Sequence, residues 1–482
     1  MTDCNVENSL KYHLELCFTL LHQYSWLLDS YILDFFTEDH WDKLPGSWKE
    51  LLKEIAVEDF HTILNIFQKT QTSICPLSII CIRVLVQHLM LPRQMPGSDS
   101  TSVICTEKNK IHIPKVTEYK TCKISPLILK HPKLWNLFLK HVKPKKSYEI
   151  FKVAETVAEI AKRLNISYIV DIGSGLGHLS RVLAYGYDLN VCSVETQIKL
   201  TTQARKLDCE FETIAAKYLS VSELNKLKSR APVHMNKTVK PNLDVLQFTQ
   251  DIKTAFSTHD NNFKFGVIGL HPCGDLAAVL LKFYSSCEQS KFINLIGCCY
   301  HKLTTSLDAE YNFGFPLTSF CYGRYMDISY EARALACHAI EAYCERLKSR
   351  NYEHLKIHCY RATLEKIIDK NWPELRKSAL GNVKAGPELN FNLYCQMALK
   401  KLDLTVPTED LYSVETLNNL SRWEDVVKFY SLRLILAPLI ETIILLDRKM
   451  YLLEKGIPAR IVAAFDPTIS PRNLLLVSEK VP

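Results

Sequence analysis

The sequence predicts an α/β protein: a mostly parallel, helix-covered sheet closed by an antiparallel strand, with an α-helical N-terminal region and a helical insertion. Three observations predict it. From about residue 131, short apolar, β-branched runs alternate with helical stretches, as parallel strands joined by helical crossovers do. The run "VDIGSGLGHLS" (170–180) puts three glycines between one such strand and the next helix. Residues 1–130 instead repeat apolar positions at three-to-four spacing, as in "SLKYHLELCFTLLHQYSWLLDSYILDFF".

The elements follow in order. "SWKELLKEI" opens with Ser47 and has Glu50 three residues later, a capping-box pattern. The N-terminal helices gather no charged or nucleophilic constellation, and packing or docking of a partner protein is their expected role. The polar, Pro- and Gly-containing stretch 93–115 reads as a linker. "SYEIFKVAETVAEIAKRL" is an amphipathic helix, "SYIVDIG" a strand, "HLSRVLAYG" a helix ending at Gly186, and "LNVCSVE" a second strand. "NLDVLQF" (242–248), "FKFGVIGL" (263–270) and "KFINLIGCCY" (291–300) are further strand candidates. Residues 304–425 read as a mostly helical insertion within a domain spanning 131–482, and "RIVAAF" and "NLLLVSE" form the closing pair. The apolar run Leu432–Glu454 is interrupted or flanked by Arg433, Glu441, Asp447 and Arg448. A membrane span needs about 20 largely apolar residues, so a buried helix bent at Pro438 is expected instead.

Composition bounds the rest. The 482 residues are 47% hydrophobic and 23% charged, ordinary values for a globular chain. The 17 cysteines lie scattered in apolar runs and no leader pattern is visible. Reduced thiols in a cytosolic or nuclear protein, without membrane association, are the expectation. A net charge of +7 permits an acidic partner such as RNA without demanding one.

The glycine loop narrows the ligand. A phosphate loop would end in Gly-Lys-Ser/Thr, and Leu176, Gly177 and His178 do not supply that. A dinucleotide loop has a third glycine where His178 stands. Asp171, two residues before Gly173, would repel a pyrophosphate but suits a cationic ammonium, such as that of S-adenosylmethionine. Glu195, at the end of the next strand, is placed to accept ribose hydroxyls, a feature shared by NAD and S-adenosylmethionine sites. Asp171, Gly173, Ser174, Gly175, Gly177 and Glu195 are thus the candidate cofactor residues, favouring S-adenosyl-L-methionine over another nucleotide or a purely structural turn.

The stretches "VDIGSGLGHLS", "GLHPCGDL", "GCCYHKL", "KPKKSYEI" and "SPRNLLLV" together resemble the methyltransferase-like protein 25 family. A sister group of that family is named for a ribosomal RNA adenine dimethylase domain, and a tRNA 2′-O-methyltransferase family is more distantly similar. The resemblance runs from "LDSYILDFFTEDHWDKLP" to the C-terminus. It implies a Rossmann-like class I methyltransferase sheet that uses S-adenosylmethionine.

"HPCGD" (271–275) follows the fourth strand, where such sheets do their chemistry. It lacks the Asn/Asp-Pro-Pro-aromatic tetrad of amino-directed nucleic-acid methyltransferases, which argues against adenine N6 as the acceptor. His271 could act as a base. Asp275 could orient it or cap the next helix, and Cys273 would line the acceptor side. "CCYHK" (298–302) ends the fifth strand next door. Vicinal cysteines on a strand point to opposite faces, so buried packing is the expected role of Cys298 and Cys299, and no metal is assigned. Lys143, Lys145 and Lys146 could close over the cofactor carboxylate or meet a phosphate backbone, and Lys146 is counted with the cofactor residues. Lys217, Lys226, Lys228, Arg230, Lys237 and Lys240 read as a flexible basic loop able to meet phosphates. The expected activity is methyl transfer to an N or O nucleophile, on RNA before protein. A catalytically silent binding or scaffold protein is the alternative.

Overall fold

Seven strands pair in the order β3-β2-β1-β4-β5-β7-β6 in the structure, a computed structural model describing residues 2–66, 74–94, 125, 128, 131–138, 140–260, 262–305, 314–322, 328–378 and 380–480. From residue 95, the linker expected at 93–115 lies outside the described residues. The strands are β1 (Tyr168–Ile172), β2 (Asn190–Glu195), β3 (Val233–Asn236), β4 (Phe265–Leu270), β5 (Ser290–Ile296), β6 (Ala459–Ala463) and β7 (Leu474–Glu479). Pairing is parallel from β3 to β5, and β7 runs antiparallel between β5 and β6. The chain leaves β1 for β2 and β3 on one side, then crosses back to β4 on the other. Their carboxyl ends therefore flank a topological switch point, where open α/β sheets bind ligands.

Both sheet faces are buried, and the strand period of two assigns successive residues to opposite faces. Ile169, Val191, Ile268 and Phe292 pack in one cluster with helix α1 (Pro144–Arg163). Val170, Cys192, Val267 and Ile293 pack in another, with helix α6 (Leu276–Ser286). Gly266 on β4 is required by this packing, because a Cβ there would collide with the Phe292 ring of β5. Between them lie α2 (His178–Arg181), continued by a π-helical turn over Val182–Gly186, then α3 (Ile198–Ala215), α4 (Val221–Lys228) and α5 (Val245–Ala255).

Three expectations fail here. "NLDVLQF" is not a strand: Asp244 accepts from the Gln247 N–H at 2.9 Å and starts α5. Phe248 and Ile252, four residues apart, are buried while Leu246 is exposed. The period is that of a helix, and four apolar residues within seven mimicked alternation. The third strand comes instead from "VHMN", inside the stretch expected to be a flexible loop. That stretch is folded: Ser220 and Glu223 close a capping box on α4. Arg230 donates to Asp188 and Asn190, each at 2.8 Å, and Lys237 pairs with Asp251. The box expected at Ser47 is absent, because the helix Gly46–Glu54 starts two residues earlier than a Ser47 cap requires, with Pro45 in the cap position and no side-chain cap.

The chain divides into two units along different lines from 1–130 and 131–482. One comprises Met1–Lys11, Pro92–Asp327 and Ile444–Pro482, and holds the sheet. The other joins Tyr12–Leu91 to Ile328–Ile443, so the helical insertion shares a unit with N-terminal helices. Within that second unit Lys428 donates to the Leu52 carbonyl at 2.9 Å. Arg433 donates to the carbonyls of Leu27 and Leu28, and His358 stacks on Tyr430 with ring centroids 4.0 Å apart.

The apolar run expected to bend at Pro438 is two helices, Trp423–Leu434 and α7 (Ala437–Glu454). Pro438 lies in the first turn of α7, where a missing N–H costs no helical hydrogen bond. Trp423–Glu454 is long and apolar enough to cross a membrane, and its most apolar window is buried throughout. Its buried Asp447 accepts from the N–H groups of Leu317 and Thr318 and from the Thr318 hydroxyl.

Candidate active site

The glycine loop leaves β1 with Gly173, Gly175 and Gly177 all in the left-handed region, at φ of 75°, 60° and 68°. Its N–H groups turn inward. Those of Gly173 and Ser174 donate to the Val194 carbonyl, that of Gly175 to Glu195 Oε2 at 3.0 Å, and that of Gly177 to the Ser174 carbonyl. A phosphate cradle needs such groups aimed at the ligand; here four are already engaged within the protein. A Cβ on Gly177 would press on the His234 ring at 3.2 Å, whereas one on Gly175 would meet no atom of the described residues within 4 Å. Space therefore opens beside Gly175, with Glu195 at its edge. Glu195 also accepts from the Gln197 N–H at 2.9 Å, so β2 and the loop hold one carboxylate together. Ser174 faces β2, its hydroxyl accepting from Ser193 at 2.6 Å.

Asp171 is 2% exposed and accepts from the Ser180 hydroxyl of α2 at 2.6 Å. Burial pushes its carboxyl up to about 6, against the Ser180 hydrogen bond and the positive charge of Lys146. Lys146 thus acts on the loop from α1. Arg181 and His234 hold Asp208 between them, each at 2.5 Å. Burial beside the Arg181 and Lys146 charges keeps His178 neutral, down to about 4. This buried network braces the helix that follows the loop.

The second cluster forms at the ends of β4 and β5. His271 has φ 68°, uncommon for a residue with a Cβ although histidine is among those that tolerate it. Its N–H donates to the Ile296 carbonyl at 3.0 Å, which fixes the turn to β5. Its Nε2 lies 3.0 Å from Glu149 Oε2 on α1. Glu149 is 2% exposed, and its other oxygen accepts from Ser470 at 2.5 Å, with Lys145 at 3.6 Å. Burial drives Glu149 upward, but the hydrogen bond and charge of His271, with Ser470 and Lys145, outweigh it and hold the carboxyl below its usual range. A half-buried imidazole backed by a buried carboxylate is the geometry of a positioned general base.

Sequence reasoning missed Glu149 and Ser470, although "KPKKSYEI" and "SPRNLLLV" contain them. Asp275 takes neither role expected of it: its carboxylate accepts from the N–H and hydroxyl of Thr304, at 2.8 and 2.9 Å, and makes no cap on α6.

Cys273 lies among Cys298 and Cys299, their Sγ atoms 3.3–3.4 Å apart. The expectation that vicinal cysteines diverge is corrected: β5 ends at Ile296, so neither residue obeys the strand's alternation. Hydrogen bonding from Cys298 lowers the Cys273 thiol to about 5, while Cys298 and Cys299 are pushed up. The arrangement favours one thiolate shared among three sulfurs.

Residues 145–306 match a family described as a methyltransferase domain. The mouse protein named "Probable methyltransferase-like protein 25" is 32% identical over 235 residues, 44% of this chain and 37% of its own length. The human protein of that name is 30% identical over 239 residues, 44% of this chain and 36% of its own. The chain thus spans little more than a third of the length of these curated relatives. No solved structure matches it. The resemblance read from the motifs agrees with these matches: residues 145–306, similar to a methyltransferase domain, hold the parallel strands β1 to β5.

Proposed function

We propose, from a chain whose residues 145–306 match a methyltransferase domain, that this protein transfers the methyl group of S-adenosylmethionine to an N or O nucleophile of RNA. The observation that carries the cofactor assignment is the loop itself. Its inward-turned N–H groups, the opening beside Gly175 and the acids Asp171 and Glu195 suit a cationic amino-acid moiety and a ribose better than a pyrophosphate. Asp171 would hold the ammonium, Lys146 the carboxylate and Glu195 the ribose hydroxyls. When bound, the cofactor supplies an electrophilic sulfonium methyl.

The chain's own residues do the rest. His271 accepts the proton lost by the attacking O–H or N–H, and Glu149 holds the imidazole in orientation and stabilises its cationic form. Positioning of acceptor against methyl supplies most of the rate. RNA is favoured by the net charge of +7 and by exposed Lys217, Lys226, Lys228 and Lys240 around α4.

Calorimetry with S-adenosylmethionine, S-adenosylhomocysteine and NAD tests the cofactor. Binding of NAD alone would overturn the assignment. Incubation with methyl-labelled cofactor and separated cellular RNA and protein tests the acceptor. Label in protein and none in RNA would replace the RNA reading.

A further inference from the structure

Cys273 follows β4, and Cys298 and Cys299 follow β5, two neighbouring parallel strands. Their sulfurs form a nearly equilateral triangle with edges of 3.4, 3.3 and 3.4 Å. Simple packing does not account for it, since three polarisable thiols converge at contact distance next to a half-exposed imidazole. A single disulfide does not account for it either. One bond joins two sulfurs and leaves the third. The pair adjacent in sequence has Cα atoms about 3.8 Å apart, below the roughly 4.4 Å at which disulfides begin to fit.

A triangle of sulfurs is one face of a tetrahedron. With metal–sulfur bonds of about 2.3 Å, its edges would be about 3.8 Å, so each pair of thiols need part by only roughly 0.4 Å. The surroundings suit three thiolates. Arg448 is 3% exposed and its charge bears on Cys298. Among the described residues its Nε has no hydrogen-bond partner. Gly297, between β5 and the cysteine pair, admits the guanidinium, because a Cβ there would fall 2.5 Å from Arg448 Nη1. Lys302 adds positive charge near Cys273 and Cys299.

We propose that Cys273, Cys298 and Cys299 form a tris-thiolate site for a soft divalent cation, zinc, with a fourth coordination position open on the side of exposed Cys273. All-sulfur donors select zinc or copper(I) over the hard cations. Zinc commonly takes three protein ligands and leaves one position open. Bound there, the ion would lock the ends of β4 and β5 together and fix the turn that carries His271. The proposal stands on the thiol geometry and does not depend on methyl transfer.

The test uses the full chain, purified under reducing conditions, stripped with a chelator, reloaded with zinc and dialysed. Metal content by plasma mass spectrometry should be about one zinc per chain. Cys273→Ser and Cys298→Ser should lose it, and Cys209→Ser, at an exposed cysteine on α3, should keep it. Cobalt loading of the unaltered chain should give a sulfur-to-metal charge-transfer band, which decides the matter even if the serine variants do not fold. The proposal is overturned if the folded wild-type chain retains no zinc and shows no such band. Zinc retained undiminished by both serine variants, or uptake of copper(I) to the exclusion of zinc, overturns it equally.

Discussion

At the scale of single residues, two buried carboxylates set the pH behaviour of the site. Asp171 is pushed up to about 6 by burial, above its unfolded value of about 3.9. Its ionised form is therefore the disfavoured one in the ligand-free protein. The contribution of this group to stability is full below its unfolded pKa and is lost as pH rises through about 6. Asp171→Asn, which can still accept from Ser180, should raise ligand-free stability at pH 8 by about 1–3 kcal/mol in urea unfolding. It should also weaken cofactor binding by roughly 1.5–3 kcal/mol. In the wild type, affinity for S-adenosylhomocysteine should fall about tenfold from pH 7 to pH 5 as Asp171 is protonated. A flat profile would remove Asp171 from the site. For His271 the backbone matters as well as the ring. At φ 68° alanine adds strain, so His271→Asn, which tolerates that region, is the cleaner variant. Turnover should drop by roughly 10²–10⁴ with cofactor affinity unchanged; full activity would end the base assignment. Glu149→Gln should lower turnover less and displace the pH–rate profile, since it acts through the imidazole.

At the scale of elements, the glycine loop separates structural from binding roles. Gly175 and Gly177 have nearly the same left-handed backbone, so alanine at either should cost about 1–2 kcal/mol of stability. Their surroundings differ. The methyl group of Gly177→Ala would also crowd His234, whereas a Cβ at position 175 projects into open space. If that space receives the cofactor, Gly175→Ala should reduce affinity by more than about tenfold while Gly177→Ala loses chiefly thermal stability. Equal affinities in calorimetry would place the ligand elsewhere. Burial also holds β4 against β5. Phe292 fills the gap left by Gly266, and Phe292→Ala should cost about 3–5 kcal/mol by leaving a cavity between β4 and β5.

At the scale of the molecule, the stretch Trp423–Glu454 decides how the chain partitions. It passes a length-and-composition test for a span, yet its apolar window is buried inside the fold. Its Asp447 and Arg433 make hydrogen bonds to protein partners. Placed in lipid these groups would be costly without those partners. Expressed alone, the chain should be recovered without detergent, and carbonate-resistant pelleting would contradict this.

The sequence by itself determined the class of sheet and the glycine loop that leaves its first strand. Both depend on local signals: β-branched runs, alternating glycines needing positive φ, and acids at strand ends. Hence β1, β2, β4, β5 and the closing pair were legible, as were Asp171 and Glu195 at the loop. The tertiary structure alone decided what depends on contacts distant in the chain. A period ambiguous over seven residues became helix α5 once Phe248 and Ile252 found the core. The insertion joined the N-terminal helices because apolar faces remote in sequence bury one another, as the Phe35 and Phe429 rings do. Glu149 and Ser470, separated by 321 residues, meet only because α1 and the turn before β7 pack beside the end of β4. Three thiols converge because the chain stops being a strand at Ile296, and alternation no longer sends Cys298 and Cys299 to opposite faces.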